Sequence, residues 1–212
     1  MCDEWVKKKV KKAKKAVDIL NGRQFDAHYA ENVEEARKLV ETMLPDSAQI
    51  AVGGSVTLQE TGIMELIKNG KYDFIDRFNN TSWEEELHKY RLEFLSDVFI
   101  TGTNAVTLDG QLANIDCTGN RTGCIGFGPK KVIVVVGANK IVKDAAEGVK
   151  RAKSIAPLNS RRINHGNPCD ETCEWSDCSG TNRICNIVSI IDGCYKFSKR
   201  ISVIVVADEL EF

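Results

Sequence analysis

Four cysteines, Cys169, Cys173, Cys178 and Cys185, follow one another at Cys-x3-Cys-x4-Cys-x6-Cys spacing. Four thiolates this close in sequence can surround one zinc ion or an iron–sulfur cluster, because soft sulfur ligands suit both. The spacing is neither that of paired Cys-x2-Cys zinc knuckles nor that of ferredoxin runs. His165, four residues ahead of Cys169, is a substitute ligand. Cys169 can instead pair with Cys173 or Cys178 as a redox disulfide, and Cys185, at the head of an apolar run, can serve as a small buried residue. From spacing alone, metal, cluster, redox pair and plain reduced thiols all stay open. Asn167-Pro168, Ser179-Gly180 and Thr181-Asn182 mark residues 165–185 as an irregular loop that something must organise. Cys117, Cys124 and Cys194 are scattered and read as packing residues; Cys2 reads as exposed and inert.

Two other segments carry chemistry of a different kind. In Gly53-Gly54-Ser55-Val56-Thr57, glycine lets the backbone approach a ligand. The Ser55 and Thr57 hydroxyls, with the first amides of a following helix, suit a carboxylate or phosphate. A tight turn capped by Ser55 explains the same residues without a ligand. Glu60 can face that cleft as an acid or base, or simply be solvated. The run matches neither the P-loop nor the dinucleotide fingerprint, so the chain carries no nicotinamide or flavin signature. The second segment is Thr101-Gly102-Thr103-Asn104, joined by Asn114-Ile115-Asp116 and Gly119-Asn120-Arg121. Asn104 and Asn120 both donate and accept, Asp116 is an acceptor or base, and Arg121 offers a bidentate fork to an anion. Each residue alone is also ordinary turn chemistry. Together with an arginine they describe a site.

The elements that must hold these residues alternate. Val6, Val10, Ala13, Val17 and Leu20 form one helix face, and the seven lysines of residues 7–15 fill the rest as a solvated surface. Residues 25–30 and 49–52 read as strands, with a helix capped by Asn32 between them. A helix carrying Met64 and Ile67 ends near Asn69-Gly70. Residues 74–78 are a strand, Thr81 or Ser82 caps a helix bearing Trp83, Leu87, Tyr90 and Phe94, and residues 97–101 are the next strand. Asp109-Gly110 between two apolar stretches is a hairpin signal. The β-branched run 131–136 is a strand covered on both faces. Residues 143–156 are a helix that Pro157 stops, and residues 187–191 and 201–206 close the chain as strands. Strand–helix alternation demands crossovers, hence an α/β fold: one open, mixed, mostly parallel sheet with helices on both faces and an internal β-hairpin.

The bulk composition narrows the class. The chain has 212 residues, 42% hydrophobic and 28% charged, which predicts one folded domain over 1–212. A net charge of −1 argues against nucleic acid, and no run is apolar enough for a membrane. With no signal-peptide pattern, the expected location is the cytoplasm, where thiols are normally reduced.

The order of these blocks resembles the lactate-utilisation (LUD) domain family in its short stand-alone form. The carrying segments begin with residues 53–62, 102–110 and 114–121. Gly128-Pro129, Gly137-Ala138-Asn139-Lys140-Ile141-Val142 and Arg183-Ile184-Cys185-Asn186 complete them, so that the resemblance spans about residues 5–192. It implies a fold similar to ribose-5-phosphate isomerases, sugar-phosphate deaminases and CoA transferases. It also implies a place in lactate oxidation, where family members act beside iron–sulfur subunits. Gly53, Gly54, Ser55 and Glu60 become cleft candidates, and Asn104, Asp116, Asn120 and Arg121 the facing wall. Two functions follow. The first is an enzyme or enzyme subunit, alone or as a homo-oligomer, binding a small carboxylate or phosphate metabolite, with Asp116 or Glu60 moving a proton. The second is a non-catalytic regulatory module in which the cysteine loop is a metal- or redox-sensing clip.

Overall fold

The computed structural model describes residues 3–79 and 82–211. Its elements run α1 (Asp3–Gly22), β1 (Asp26–Ala30), α2 (Val33–Met43), β2 (Gln49–Val52), α3 (Val56–Glu60), α4 (Ile63–Asn69), β3 (Asp73–Phe74) and α5 (Trp83–Glu93). They continue with β4 (Val98–Gly102), β5 (Ala105–Thr107), β6 (Leu112–Asp116), α6 (Asn120–Gly126), β7 (Lys131–Gly137) and β8 (Ile141–Val142). The last are α7 (Ala145–Arg162), α8 (Cys169–Thr172), β9 (Ile187–Ile191) and β10 (Ile201–Val206).

Six strands form a sheet in the order β1-β10-β7-β4-β2-β3, and every pairing in it is parallel. Its two faces follow from the period of two along each strand. Val132, Val134 and Val136 of β7 and Val203 and Val205 of β10 turn to one side, where Ala13, Ala16 and Leu20 of α1 cover them. Ile133, Val135, Ile204 and Val206 turn to the other, against Ala36 and Val40 of α2, Leu58 of α3 and Ile63 and Ile67 of α4. A strand buried on both faces has no use for alternating polar residues, which is why β7 reads as an unbroken β-branched run.

The α/β reading stands, but the strands divide between two sheets. The Asp109-Gly110 hairpin forms as expected, with Gly110 at φ 82. Its strands do not join the parallel sheet. They found a second sheet, β8-β5-β6-β9, in which β5–β8 is parallel and the other two pairings are antiparallel. Helix α7 lies on this sheet at Gly148, where a Cβ would stand 2.7 Å from the Cβ of Ala113.

Three boundaries differ from the sequence reading. Pro157 does not stop α7, which continues to Arg162. Proline forgoes its own amide bond, and with Ala156, Pro157 and Ser160 all buried the helix resumes beyond it. Strand β3 ends at Phe74, because Arg77 turns back to donate from Nε to the Val52 carbonyl at 3.1 Å. Gly62, at φ 67, separates α3 from α4. Asn32 and Ser82 cap α2 and α5 through the amides of Glu35 and Glu85; Thr81, the alternative cap, lies outside the described residues.

Candidate functional site

Strand β4 ends at Gly102, in the middle of the parallel sheet, and the chain leaves it through Thr103 and Asn104 into the second sheet. Ligands of open α/β sheets sit beyond such carboxyl ends. A cleft of about 170 Å³ opens there, small beside the several hundred cubic ångströms of a drug-sized pocket. The Gly54–Ser55 turn after β2, the Gly102–Asn104 exit, the Asp116 end of β6, Arg121 and the last turns of α7 line it.

One wall is a dense hydrogen-bond network, in which Asn114 Nδ2 is buried with no partner among the described residues. The Asp116 carboxylate accepts from Arg121 Nε at 2.8 Å through Oδ1, and from the Thr122 amide at 2.8 Å through Oδ2. Arg121 also donates to Asn114 Oδ1 at 2.9 Å, to Asn104 Oδ1 at 3.0 Å and to the Ile115 carbonyl at 2.8 Å. Asn104 Oδ1 accepts in addition from the Ile115 amide at 2.9 Å, and Asn114 Oδ1 from Thr103 Oγ1 at 3.1 Å. This explains the residue types. A guanidinium's planar fork can bind the end of one strand, a loop and a hairpin at once, whereas lysine offers a single point. The fork that the sequence reading gave to an anion is turned into the protein. The cation at the mouth is Arg162, exposed on the last turn of α7 and bonded to Asn159 Oδ1 at 3.3 Å.

The opposite wall is the glycine turn. Gly54 and Ser55 line the cleft, and Ser55 Oγ is buried with no hydrogen-bond partner among the described residues. Ser55 stands at the N-cap of α3 without capping it. Gly102 is needed opposite, because a Cβ there would come within 2.7 Å of Ser55 Oγ.

The other candidates fall behind these walls. Gly53 is packed against Thr101 and Phe99, where no Cβ fits. Thr57 is fully buried. Glu60 is exposed and accepts the Glu211 amide at 2.7 Å through Oε2. Asn120 turns from the cleft and donates from Nδ2 to Glu93 Oε2 at 3.2 Å.

Glu93, which the sequence reading did not single out, is the hinge of a second layer. Its buried carboxylate pairs with Arg77 Nε at 3.2 Å, the same group that holds the Val52 carbonyl. It therefore ties the turn after β2 to the start of α6. Burial foremost pushes its pKa up to about 7, against the pull of Arg77 and Asn120. The signal was present: Glu93 falls three residues after Tyr90, on the helix face that carries Tyr90 and Phe94.

Lys140 and Glu211 were also missed. Lys140 is 1% exposed, and its Nζ donates to Glu211 Oε2 at 2.5 Å and to Thr57 Oγ1 at 3.1 Å. Burial lowers its pKa, opposed by Glu211; burial, the largest single influence on Glu211, would raise it, but the Lys140 charge, the hydrogen bonds from Lys140 and Thr57 and the Arg162 charge together hold the carboxylate below its ordinary value. Lys140 lay in the Gly137–Val142 block already noted; nothing in sequence pointed to Glu211.

The cysteine loop joins the cleft at one place, through Ile184 and Cys185. Cys169 is buried, Cys173 is exposed beside Arg161, and Cys178 is half-buried. Among the described residues no three His, Cys, Asp or Glu side chains stand together as a group that could hold a metal ion. Hydrogen bonds organise it instead. Asp170 Oδ2 accepts the Gly166 and Asn167 amides, Asn182 Nδ2 donates to the Gly166 carbonyl, and Arg183 donates to the Cys185 and Cys178 carbonyls and to Asp177. Asn186 fastens it to the wall, donating from its amide to the Asp116 carbonyl and from Nδ2 to the Cys117 carbonyl.

A family model, described as the LUD domain, matches residues 13–206. The chain belongs to the LUD domain family. Among solved structures, a DUF162 family protein from Deinococcus radiodurans is similar to this LUD domain at TM-score 0.55 and 15% identity, over 93% of this chain and 98% of that one. That likeness bears on the fold. Ribose 5-phosphate isomerase A from Methanocaldococcus jannaschii reaches TM-score 0.35 at 15% identity, over 75% and 78% of the two chains, too low to establish a shared fold. No curated protein matches this LUD domain. Among its described residues no helix is long and apolar enough to cross a membrane.

Proposed function

We propose that this LUD domain binds a small organic acid, of the 2-hydroxy- or 2-oxo-carboxylate kind, in the cleft between Ser55 and Asp116. We propose further that it does so as an enzyme or enzyme subunit of lactate-type oxidation. The observation that carries the reading is the convergence on one small cleft of Gly54-Ser55 with the two ends of a hairpin about fifty residues further on, Asn104 and Asp116-Arg121. Membership of the family supports the metabolic setting.

In this reading Arg121 positions rather than binds. It fixes Asp116 and Asn104, two residues that line the cleft, so that neither need reorganise when a ligand arrives. Ser55 Oγ donates to the ligand, and Arg162 supplies charge at the mouth. Asp116 keeps acceptor capacity beyond its contacts with Arg121 and the Thr122 amide and is the group placed to take a ligand hydroxyl proton. Glu60, bonded to the Glu211 backbone and outside the cleft, has no part in that step. Oxidation of a hydroxy acid to the 2-oxo acid breaks its O–H and C2–H bonds and releases two protons and two electrons; Asp116 takes the hydroxyl proton, the C2 proton passes to solvent, and both electrons go to an iron–sulfur partner subunit.

Calorimetric titration with L-lactate, pyruvate and inorganic phosphate tests the reading. Wild type is expected to bind one of the carboxylates, with affinity reduced about tenfold by Ser55→Ala and by Arg162→Ala, the worth of about 1.4 kcal/mol each. Equal affinity in all three proteins would remove the site.

A further inference from the structure

Glu211 stands between the cleft and Lys140. Glu211 is one of the residues lining the cleft, and its Oε2 takes a hydrogen bond from Lys140 Nζ at 2.5 Å and one from Thr57 Oγ1 at 3.0 Å. Lys140 is shut away from solvent, and a lone buried ammonium is costly, so the position demands an anion. Nothing demands that the anion belong to the protein. Ser55 Oγ, the unpartnered buried hydroxyl, lines the same cleft. Arg162, on its wall, acts on the Glu211 charge as well.

The attachment of Glu211 is of a kind that can let go. It follows β10 and belongs to no sheet. Side chains hold its backbone: Asn139 Nδ2 donates to its carbonyl and to that of Leu210 at 3.2 Å each, and Glu60 accepts its amide. Its φ of 56 is in the left-handed region, which a residue with a Cβ adopts only when its surroundings impose it.

We infer that the Glu211 carboxylate occupies a carboxylate subsite made by Lys140 and Thr57 at the back of the cleft, and that it is displaced when a ligand carboxylate binds there. The inference rests on the proposed binding of an organic acid and adds to it the group that reads the acid and the internal competitor that holds the subsite. Lys140 contributes an ion pair in both states, with Glu211 or with the ligand, and the competitor sets a threshold concentration below which the cleft stays closed at its base.

Acetate is the probe, as the smallest carboxylate. In calorimetry and thermal unfolding, Glu211→Ala is expected to bind acetate at least tenfold tighter than wild type, with a saturable rise in Tm that wild type does not show. Glu211→Gln, which keeps an oxygen for Lys140 and therefore folds if the alanine variant does not, is expected to show a smaller gain. The double variant Lys140→Met/Glu211→Ala is expected to lose the gain. Acetate affinity in both Glu211 variants no better than in wild type, or a gain that survives removal of Lys140, would overturn the inference. The lactate and pyruvate titrations with Ser55→Ala decide the cleft itself independently. Ser55-dependent binding without a gain from the Glu211 variants sinks only the displaced carboxylate.

Discussion

The cleft wall and the cysteine loop are both irregular, polar and adjacent, yet they are built on opposite plans. In the wall, Arg121, Asp116, Asn104 and Asn114 bond one another around buried strand ends, and each polar group serves more than one element. In the loop, the bonds of Asn182 and Arg183 stay within the loop, Asn167 and Asp170 tie it to Ser160 of α7, and it meets the wall chiefly through Asn186. The difference teaches which polar cluster is structural capital for a site and which is a covering. Density of reactive residue types favoured the cysteines. Density of shared acceptors favours the wall.

The sharpest way to break this comparison is Arg121→Ala. It leaves Asp116 buried without its cation, and stability is expected to fall by about 3–5 kcal/mol in urea unfolding. A loss under about 1 kcal/mol would mean the wall is no more organised than the loop. Next is Gly148→Val, which overpacks α7 against Ala113 beneath the same wall; about 1–3 kcal/mol is expected, read by the same measurement.

Glu93 sharpens the comparison through pH. Below the ordinary 4.5 both folded and unfolded chains carry its proton; between there and about 7 the unfolded chain releases it first. Its contribution to stability therefore falls as pH rises through that window and levels out above it. The loss amounts to roughly 1–3 kcal/mol. Tm measured from pH 4.5 to 7.5 is expected to decline more steeply in wild type than in Glu93→Gln; parallel profiles would place the carboxylate in water.

The loop supplies the small effects. Arg183→Ala is expected to lower Tm only slightly, since its bonds are partly exposed. Cys173→Ser is expected to change Tm by the equivalent of less than about 0.5 kcal/mol. A drop of several kcal/mol for Cys173→Ser, accompanied by stoichiometric zinc or iron in anaerobically prepared wild type, would turn the comparison around.

Much of the frame was legible before any coordinates. The β-branched run of β7, the Asp109-Gly110 hairpin and the caps Asn32 and Ser82 are local signals with local causes, and each forms where expected. The division into two sheets was not legible, because a hairpin's sequence fixes its own pairing and says nothing of which sheet it joins. Pro157 misled because the rule it follows concerns one hydrogen bond, whereas α7 is held by the burial of its neighbours. The site was half legible. Gly54, Ser55, Asn104, Asp116 and Arg121 share the cleft, yet the direction of the Arg121 fork depends on acceptors up to 17 positions away. The Lys140–Glu211 pair joins residues 71 apart, and no local pattern encodes it.

The close packing of the glycines divides the cleft into a side that can change and a side that cannot. A side chain at Gly53 would collide with Thr101, one at Gly102 with Ser55, and one at Gly54 would press on Arg77 NH2 at 3.0 Å. A larger residue at any of these glycines must first displace the side chain it meets. On the helical side Ala152 and Ala156 are buried, while Asn159 is half-buried and Arg162 exposed, so the last turn of α7 carries the side chains freest to change. Any retuning of this LUD domain toward a longer, bulkier or more acidic ligand, in a laboratory or over generations, has one direction open to it. It must be written along α7.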